Sequence, residues 1–190
     1  MPVAVQPRRF TVDDYYAMAD AGVFAPDERV ELLDGEILTM PPIGPPHVGT
    51  VNQMNSLFVR ALGSRAVVQI QGPVRLSNDS EPQPDIAILR PRGDFYRSRH
   101  AGPADVFALI EVADSSIGYD SGRKLKAYAR SAIAEYWLVD LQAERIQIHR
   151  HPAGEQYRNR VTVQRGEIVA FEAFPEDHFV VVDVLGAPGP

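Results

Sequence analysis

The run Val106-Phe-Ala-Leu-Ile110-Glu111-Val112 carries no polar residue before Glu111, and Glu135-Tyr-Trp-Leu-Val-Asp140 follows about 20 residues on. An uninterrupted apolar run of this length reads as a strand covered on both faces, and the Glu135–Asp140 run is strongly β-prone. Between them Ser115 to Gly122 is turn-rich, and Leu125, Tyr128, Ala129 and Ala132 recur at helical spacing. Strand, helix, strand in that order predicts a βαβ crossover and a sheet with at least one parallel pair.

Working upstream, short apolar runs at Asp85–Leu89, Val74–Leu76 and Val67–Ile70 predict further central strands. Before them Val48, Val51, Met54, Asn55, Phe58 and Leu62 repeat at helical spacing up to Gly63, after the break at Pro41–Pro46. Asp34-Gly35 centres a predicted hairpin over Val30–Met40, and Thr11-Val-Asp-Asp14 is an N-cap with acidic first-turn residues for a helix ending near Gly22. Downstream, strands are expected at Arg145–Arg150, Arg158–Gln164, Ile168–Ala170 and Phe179–Val184. The expected fold class is α/β: a central mixed sheet flanked by helices, with an N-terminal helix and β-hairpin.

The chain has 190 residues, 45% of them hydrophobic, which suits one domain spanning 8–186 with flexible ends at 1–7 and 187–190. It has no cysteine, so a disulfide framework, a thiolate metal site and a cysteine nucleophile are all excluded. Any metal must be held by oxygen or imidazole. No apolar run approaches the roughly 20 residues needed to span a bilayer, and the N-terminus has no signal-peptide pattern, so a cytoplasmic protein without membrane attachment is expected. A net charge of −6 argues against binding nucleic acid through a broad basic face. It is compatible with a nuclease, because carboxylates that collect cations add negative charge to the protein. Almost all the basic residues are arginine; the two lysines are Lys124 and Lys126. A chain that uses Arg elsewhere singles out this segment for a compact ammonium.

Pro84-Asp85 opens one predicted strand and Glu111 lies near the end of another, so two carboxylates can meet at one edge of a sheet. Paired acids suit a hard cation such as Mg²⁺ or Mn²⁺, although a strand-terminal acid is more often a solvated end. Glu111 stands apart because its strand reads as buried, and an ionised carboxylate there costs several kcal/mol unless it is paired or metal-bound. His149 and His151 share a face by spacing but lack a third ligand nearby and read as surface residues. Arg90-Pro-Arg-Gly-Asp-Phe-Tyr-Arg97-Ser-Arg-His100 is a basic loop with two aromatics joining the strands of Asp85 and Glu111. Its Arg90, Arg92 and Arg97 are candidate substrate contacts, against the alternative of an ordinary polar loop.

Pro84-Asp85, Glu111-Val-Ala113, Asp120-Ser-Gly-Arg-Lys124-Leu-Lys-Ala-Tyr128 and Glu135-Tyr-Trp-Leu-Val-Asp140 together resemble the bacterial Uma-two family of the PD-(D/E)XK nuclease superfamily. The likeness spans roughly residues 9 to 185, with Glu31-Leu-Leu-Asp-Gly35 matching the family's first acidic motif and His47 a histidine before its long helix. The resemblance implies a restriction-endonuclease-like fold. One departure from the superfamily pattern is Ala113, where a lysine two residues after Glu111 is usual; the resemblance implies that Lys124 takes its place. Helical geometry alone puts Lys124 and Lys126 on opposite flanks of the buried stripe.

The function implied is a metal-dependent endonuclease acting on phosphodiester bonds, with DNA favoured. Asp85, Glu111 and the main-chain carbonyl of Val112 would hold Mg²⁺ (or Mn²⁺), Lys124 would position water, and Glu31 would assist. His47 is expected at a phosphate or a neighbouring carboxylate, or else as a helix-start residue with no chemical task, and Tyr128 among the substrate contacts. Cleavage of two strands would favour a homodimer. The alternative is a catalytically silent module that binds nucleic acid or protein on the same fold. The position of the Lys124 nitrogen separates the two readings.

Overall fold

The computed structural model describes residues 6–114 and 116–186; the flexible ends expected at 1–7 and 187–190 lie almost wholly outside them. Helix α1 (Val12–Asp20) starts on a capping box in which Thr11 and Asp14 satisfy each other's backbone N–H. Strands β1 (Val30–Leu33) and β2 (Glu36–Thr39) form the expected hairpin. Asp34 and Gly35 have φ of 54° and 71° at its turn, the left-handed pair that a two-residue loop matched to strand twist requires. Helix α2 runs Pro45–Leu62. Pro45 and Pro46, at the end of the break expected before it, sit in its first turn, where their missing N–H groups have no intrahelical partner to lose.

The main sheet has six strands: β3 (Val67–Ile70), β4 (Ile86–Leu89), β5 (Val106–Ala113), β6 (Glu135–Asp140), β7 (Arg145–Ala153) and β8 (Gln156–Gln164), in that order across the sheet. β5 and β6 are parallel and every other neighbouring pair is antiparallel. The crossover between β5 and β6 holds α3 (Ile117–Tyr119), a five-residue π-helical turn (Asp120–Lys124) and α4 (Leu125–Arg130). Beyond the sheet a small ribbon of β9 (Ile168–Phe171) and β10 (Phe174–Val180) leads into α5 (Val181–Leu185).

Three expectations are corrected. Val74–Leu76 is not a strand: Val74 makes a single bridge to Ala101, and its N–H donates back to Pro82. Prolines at 73, 82 and 84 deny this segment a continuous ladder. Of the turn-rich stretch 115–122, residue 115 lies outside the described residues, and from Ile117 onward the chain is helical, through α3 into the π-helical turn. Phe179–Val184 divides into the end of β10 and the start of α5, for the apolar run alone does not distinguish a buried strand from a buried helix.

The sheet is covered on both sides. Val51, Met54, Phe58 and Leu62 of α2, with Phe171, Phe179 and α5, pack on Ile86, Ile88, Ala108, Ile110, Val112, Trp137 and Val139. The opposite face, Ala87, Leu89, Leu109, Ala113, Tyr136 and Leu138, packs under Ala127 and Tyr128 of α4 and under Leu33 of the hairpin. By strand alternation Asp85 and Glu111 belong to this second face. The sheet therefore points both carboxylates toward the hairpin and the crossover.

His149, expected at the surface, is buried against Tyr136 and Tyr157, with ring centroids 5.7 and 5.8 Å away. β8 covers it, while an irregular φ of 59° at His151 turns that side chain out. Burial, aided by Arg160, pulls the His149 imidazole down to about 4. A base depressed in the fold is protonated preferentially in the unfolded chain, so its contribution is intact above the ordinary value of 6.5 and is lost as pH falls from there toward 4. At 1.36 kcal/mol per unit this amounts to about 2 kcal/mol between pH 6.5 and 5. Urea midpoints at pH 7 and pH 5 are expected to fall less in His149→Leu than in the wild type. Equal falls would show that His149 is not the group responsible.

Candidate active site

Five carboxylates, of Glu31, Asp85, Glu111, Asp114 and Asp120, and one ammonium line a cleft of about 110 Å³ at the end of the sheet where β4 begins and β5 ends. Asp85, just before β4, accepts through Oδ2 from the Val112 amide at 2.9 Å and pairs with His47 Nε2 at 3.0 Å; Gln71 Nε2 reaches its Oδ1 at 3.3 Å. Burial pushes this carboxyl up, but the hydrogen bond and charge of His47, with the Val112 amide and Lys124, outweigh it and hold Asp85 below the usual carboxylate range. His47 sits in the first turn of α2, and its Nδ1 is buried with no hydrogen-bond partner among the described residues.

Glu111 is fully enclosed. Its Oε1 accepts from Tyr128 OH at 2.5 Å and lies 3.0 Å from Lys124 Nζ. Burial pushes Glu111 well above the ordinary carboxyl value, with Lys124 acting against the rise and the neighbouring acids adding to it. Glu31, from β1, lies 3.4 Å from Lys124 Nζ and accepts from Tyr119 OH at 2.6 Å and from the Gln83 amide at 3.0 Å. Asp120 accepts from Ser116 Oγ at 2.5 Å, and burial is the main reason its carboxyl rises to about 6. Lys124 is itself only 2% exposed. Burial lowers it, yet Glu111, Glu31 and Asp120 more than compensate, so it remains an ammonium.

The π-helical turn explains how a helix supplies this lysine. A wider turn rotates the following residues relative to an α-helix, and such turns recur at functional sites. Here Lys124 faces inward and Lys126 is exposed. Arg123 fastens the turn to the hairpin through Glu36 at 2.7 Å. The tether keeps Glu31 and Lys124 in register.

Of the residues singled out from the sequence, Asp85, Glu111, Val112, Lys124, Glu31 and His47 come together. Because the N–H and C=O of one strand residue point to the same side, the Val112 carbonyl opens toward Asp85 as its amide does. Tyr128 does not contact the cleft: it is wholly buried and holds Glu111. Arg90, Arg92 and Arg97 are not brought to the cleft either, since the loop joins β4 to β5 at the other end of those strands. Arg90 stacks 4.4 Å over Phe107 and donates to the Ala104 carbonyl, and Arg92 is paired with Asp94 at 2.7 Å. Sequence reasoning missed Gln71, Tyr119, Asp120 and Arg29. Asp120 had a visible signal in its four-residue spacing from Lys124; Gln71, at a φ of 47° just before Gly72, had none.

Two carboxylates with a main-chain oxygen form a hard donor set that fits Mg²⁺ or Mn²⁺ with water filling the remaining positions. Among the described residues no group of three or more His, Asp or Glu side chains could hold a metal ion, so a main-chain oxygen would have to complete the donor set. Fold and cleft together define a restriction-endonuclease-like α/β protein. Residues 12–182 match the family model Uma2, described as "Putative restriction endonuclease", and the chain belongs to that family. A crystal structure titled as a "putative nuclease belonging to DUF820", from Anabaena variabilis, superposes with a TM-score of 0.71. The match covers 93% of this chain and 97% of that one at 14% identity, a likeness of fold. None of the curated proteins compared matches the chain. Among the described residues, no helix is long and apolar enough to cross a membrane.

Proposed function

We propose that this cleft hydrolyses phosphodiester bonds of DNA with a divalent cation, Mg²⁺ or Mn²⁺. The observation that carries the reading is the Lys124 ammonium, 3.0 Å from Glu111 in a cleft also lined by Asp85. A solvated Lys124 would have favoured the silent binding module instead.

Asp85, Glu111 and the Val112 carbonyl would hold the cation, which when bound supplies Lewis-acid stabilisation of charge on the phosphate. Lys124, kept protonated by its carboxylates, orients the attacking water and offsets the negative charge that grows on the phosphate oxygens. Glu31 keeps the ammonium in place from the hairpin side and accepts a proton from that water. Tyr128 sets the rotamer of Glu111 from beneath. His47 and Gln71 do the same for Asp85, one at each oxygen.

The test is a Mg²⁺ and Mn²⁺ titration of cleavage on single-stranded, duplex and branched DNA, with RNA alongside, comparing wild type with Asp85→Ala and Lys124→Ala. Cation-dependent DNA cleavage that falls by at least about a hundredfold in both variants is the expected result. Cleavage that survives both substitutions would exclude this site. Binding of DNA without cleavage by wild type would move the assignment to the silent module.

A further inference from the structure

The cleft is short of positive charge for an enzyme that admits a polyanion. Glu31, Asp85, Glu111, Asp114 and Asp120 line it, whereas only Arg29 and Lys124 among the lining residues carry a permanent positive charge. Lys124 is already committed to Glu31 and Glu111. Arg29 is exposed and, among the described residues, has no carboxylate within ion-pairing distance; its one hydrogen bond runs from Nη1 to the Pro41 carbonyl at 3.3 Å. Four of its five N–H donors are therefore uncommitted.

The hairpin explains where this guanidinium stands. The Met40 amide donates to the Arg29 carbonyl at 2.7 Å, so the β1–β2 ladder continues one residue beyond the strand. Residues two apart on a strand share a face. Arg29 thus projects to the same side as Glu31, whose carboxylate meets Lys124, and it forms the rim of the cleft while Glu31 forms part of its floor. The arginines of the 90–100 loop lie at the far end of the sheet, with Arg90 and Arg92 occupied by Phe107 and Asp94.

We infer that Arg29 is the substrate-positioning residue of this cleft, gripping a backbone phosphate of the nucleic acid next to the one that is cleaved. The inference rests on the phosphodiesterase reading above. A planar fork matches two phosphate oxygens, which an ammonium cannot do, so lysine is a poor replacement. The contact reads no base, and its loss weakens all sequences alike.

The experiment measures Mg²⁺-dependent cleavage and, with Ca²⁺ in place of Mg²⁺, binding of a short fluorescein-labelled DNA duplex across a salt series, for wild type, Arg29→Ala, Arg29→Lys and Arg60→Ala. Arg60 is an exposed residue about 20 Å along α2 from His47 and controls for the loss of any surface charge. Arg29→Ala is expected to raise KM and Kd by roughly tenfold, to leave kcat within about twofold, and to lower the salt dependence by about one phosphate contact. Arg29→Lys is expected to recover only part of the loss, and Arg60→Ala to match wild type. Unchanged KM and salt dependence in Arg29→Ala would overturn the assignment, as would an equal loss in Arg60→Ala. A fall in kcat at constant KM would overturn it too, placing Arg29 in the chemistry instead. Failure of wild type to cleave any DNA would instead overturn the phosphodiesterase reading, and Arg29's role with it.

Discussion

Glu111→Gln is expected to reduce cation-dependent cleavage by at least about a thousandfold while leaving the protein folded, with a loss of stability under about 3 kcal/mol. The two effects separate because Glu111 serves the apoprotein and the reaction in different ways. The carboxylate is enclosed, and burial pushes its pKa well up, a sign that the fold tolerates its charge poorly. Glutamine keeps the shape and the Oε1 acceptor that Tyr128 OH and Lys124 Nζ use at 2.5 and 3.0 Å. Neutralising one member of a buried ion pair leaves the other short of compensation, but Lys124 keeps Glu31 at 3.4 Å, so the cost stays below the roughly 3–5 kcal/mol of a fully broken pair. The neutral amide is, however, a poor ligand for a hard cation, and a thousandfold loss corresponds to about 4 kcal/mol of transition-state stabilisation. Single-turnover cleavage beside a urea melt reads both. Activity within tenfold of wild type would remove Glu111 from the cation site, and collapse of the fold would show that its charge is structural.

Trp137→Ala should cost about 3–5 kcal/mol of stability, the range for truncating a buried large aromatic. Trp137 is fully buried in the middle of β6. Its ring stacks 4.3 Å from Phe171 and meets the edge of Phe58 at 6.2 Å. It therefore joins the sheet, α2 and the β9–β10 ribbon in one cluster. Its Nε1–H also donates to Glu135 Oε1 at 2.7 Å, a buried acceptor that Arg150 shares, while the Glu172 amide donates to Glu135 Oε2. The substitution removes both the packing and one of those donors. A fall in the urea midpoint at constant slope is the expected signature, and a loss under about 1 kcal/mol would mean that Phe58 and Phe171 collapse into the space.

The hairpin, α2 and the paired strands β5 and β6 were legible because each is encoded locally. Asp34-Gly35 demands a turn with positive φ at both residues, the α2 apolar stripe repeats at helical spacing, and the runs at 106 and 135 lack polar alternation. Glu111 was legible for the same reason: a carboxylate ending a doubly buried strand needs a partner wherever the chain goes. Val74–Leu76 and Phe179–Val184 misled because a short apolar run says that a segment is buried without saying in which conformation. His149 misled because alternation along one strand does not reveal that a neighbouring strand will cover it. The arginine loop misled through adjacency: it joins the strands of both carboxylates, but four residues of β4 carry it to the opposite end of the sheet.

The sequence alone determined the α/β class, the absence of any thiolate chemistry, and the candidate acids and lysines of the cleft, since residue type and local periodicity are properties of short windows. Tertiary structure decided which of them meet. The π-helical turn aims Lys124 inward and leaves Lys126 in solvent, the hairpin carries Glu31 and Arg29 to the cleft, and antiparallel pairing puts Asp85 beside Val112. Contacts between residues this far apart in sequence depend on strand order and register, which the packing of the whole sheet selects and no single window contains.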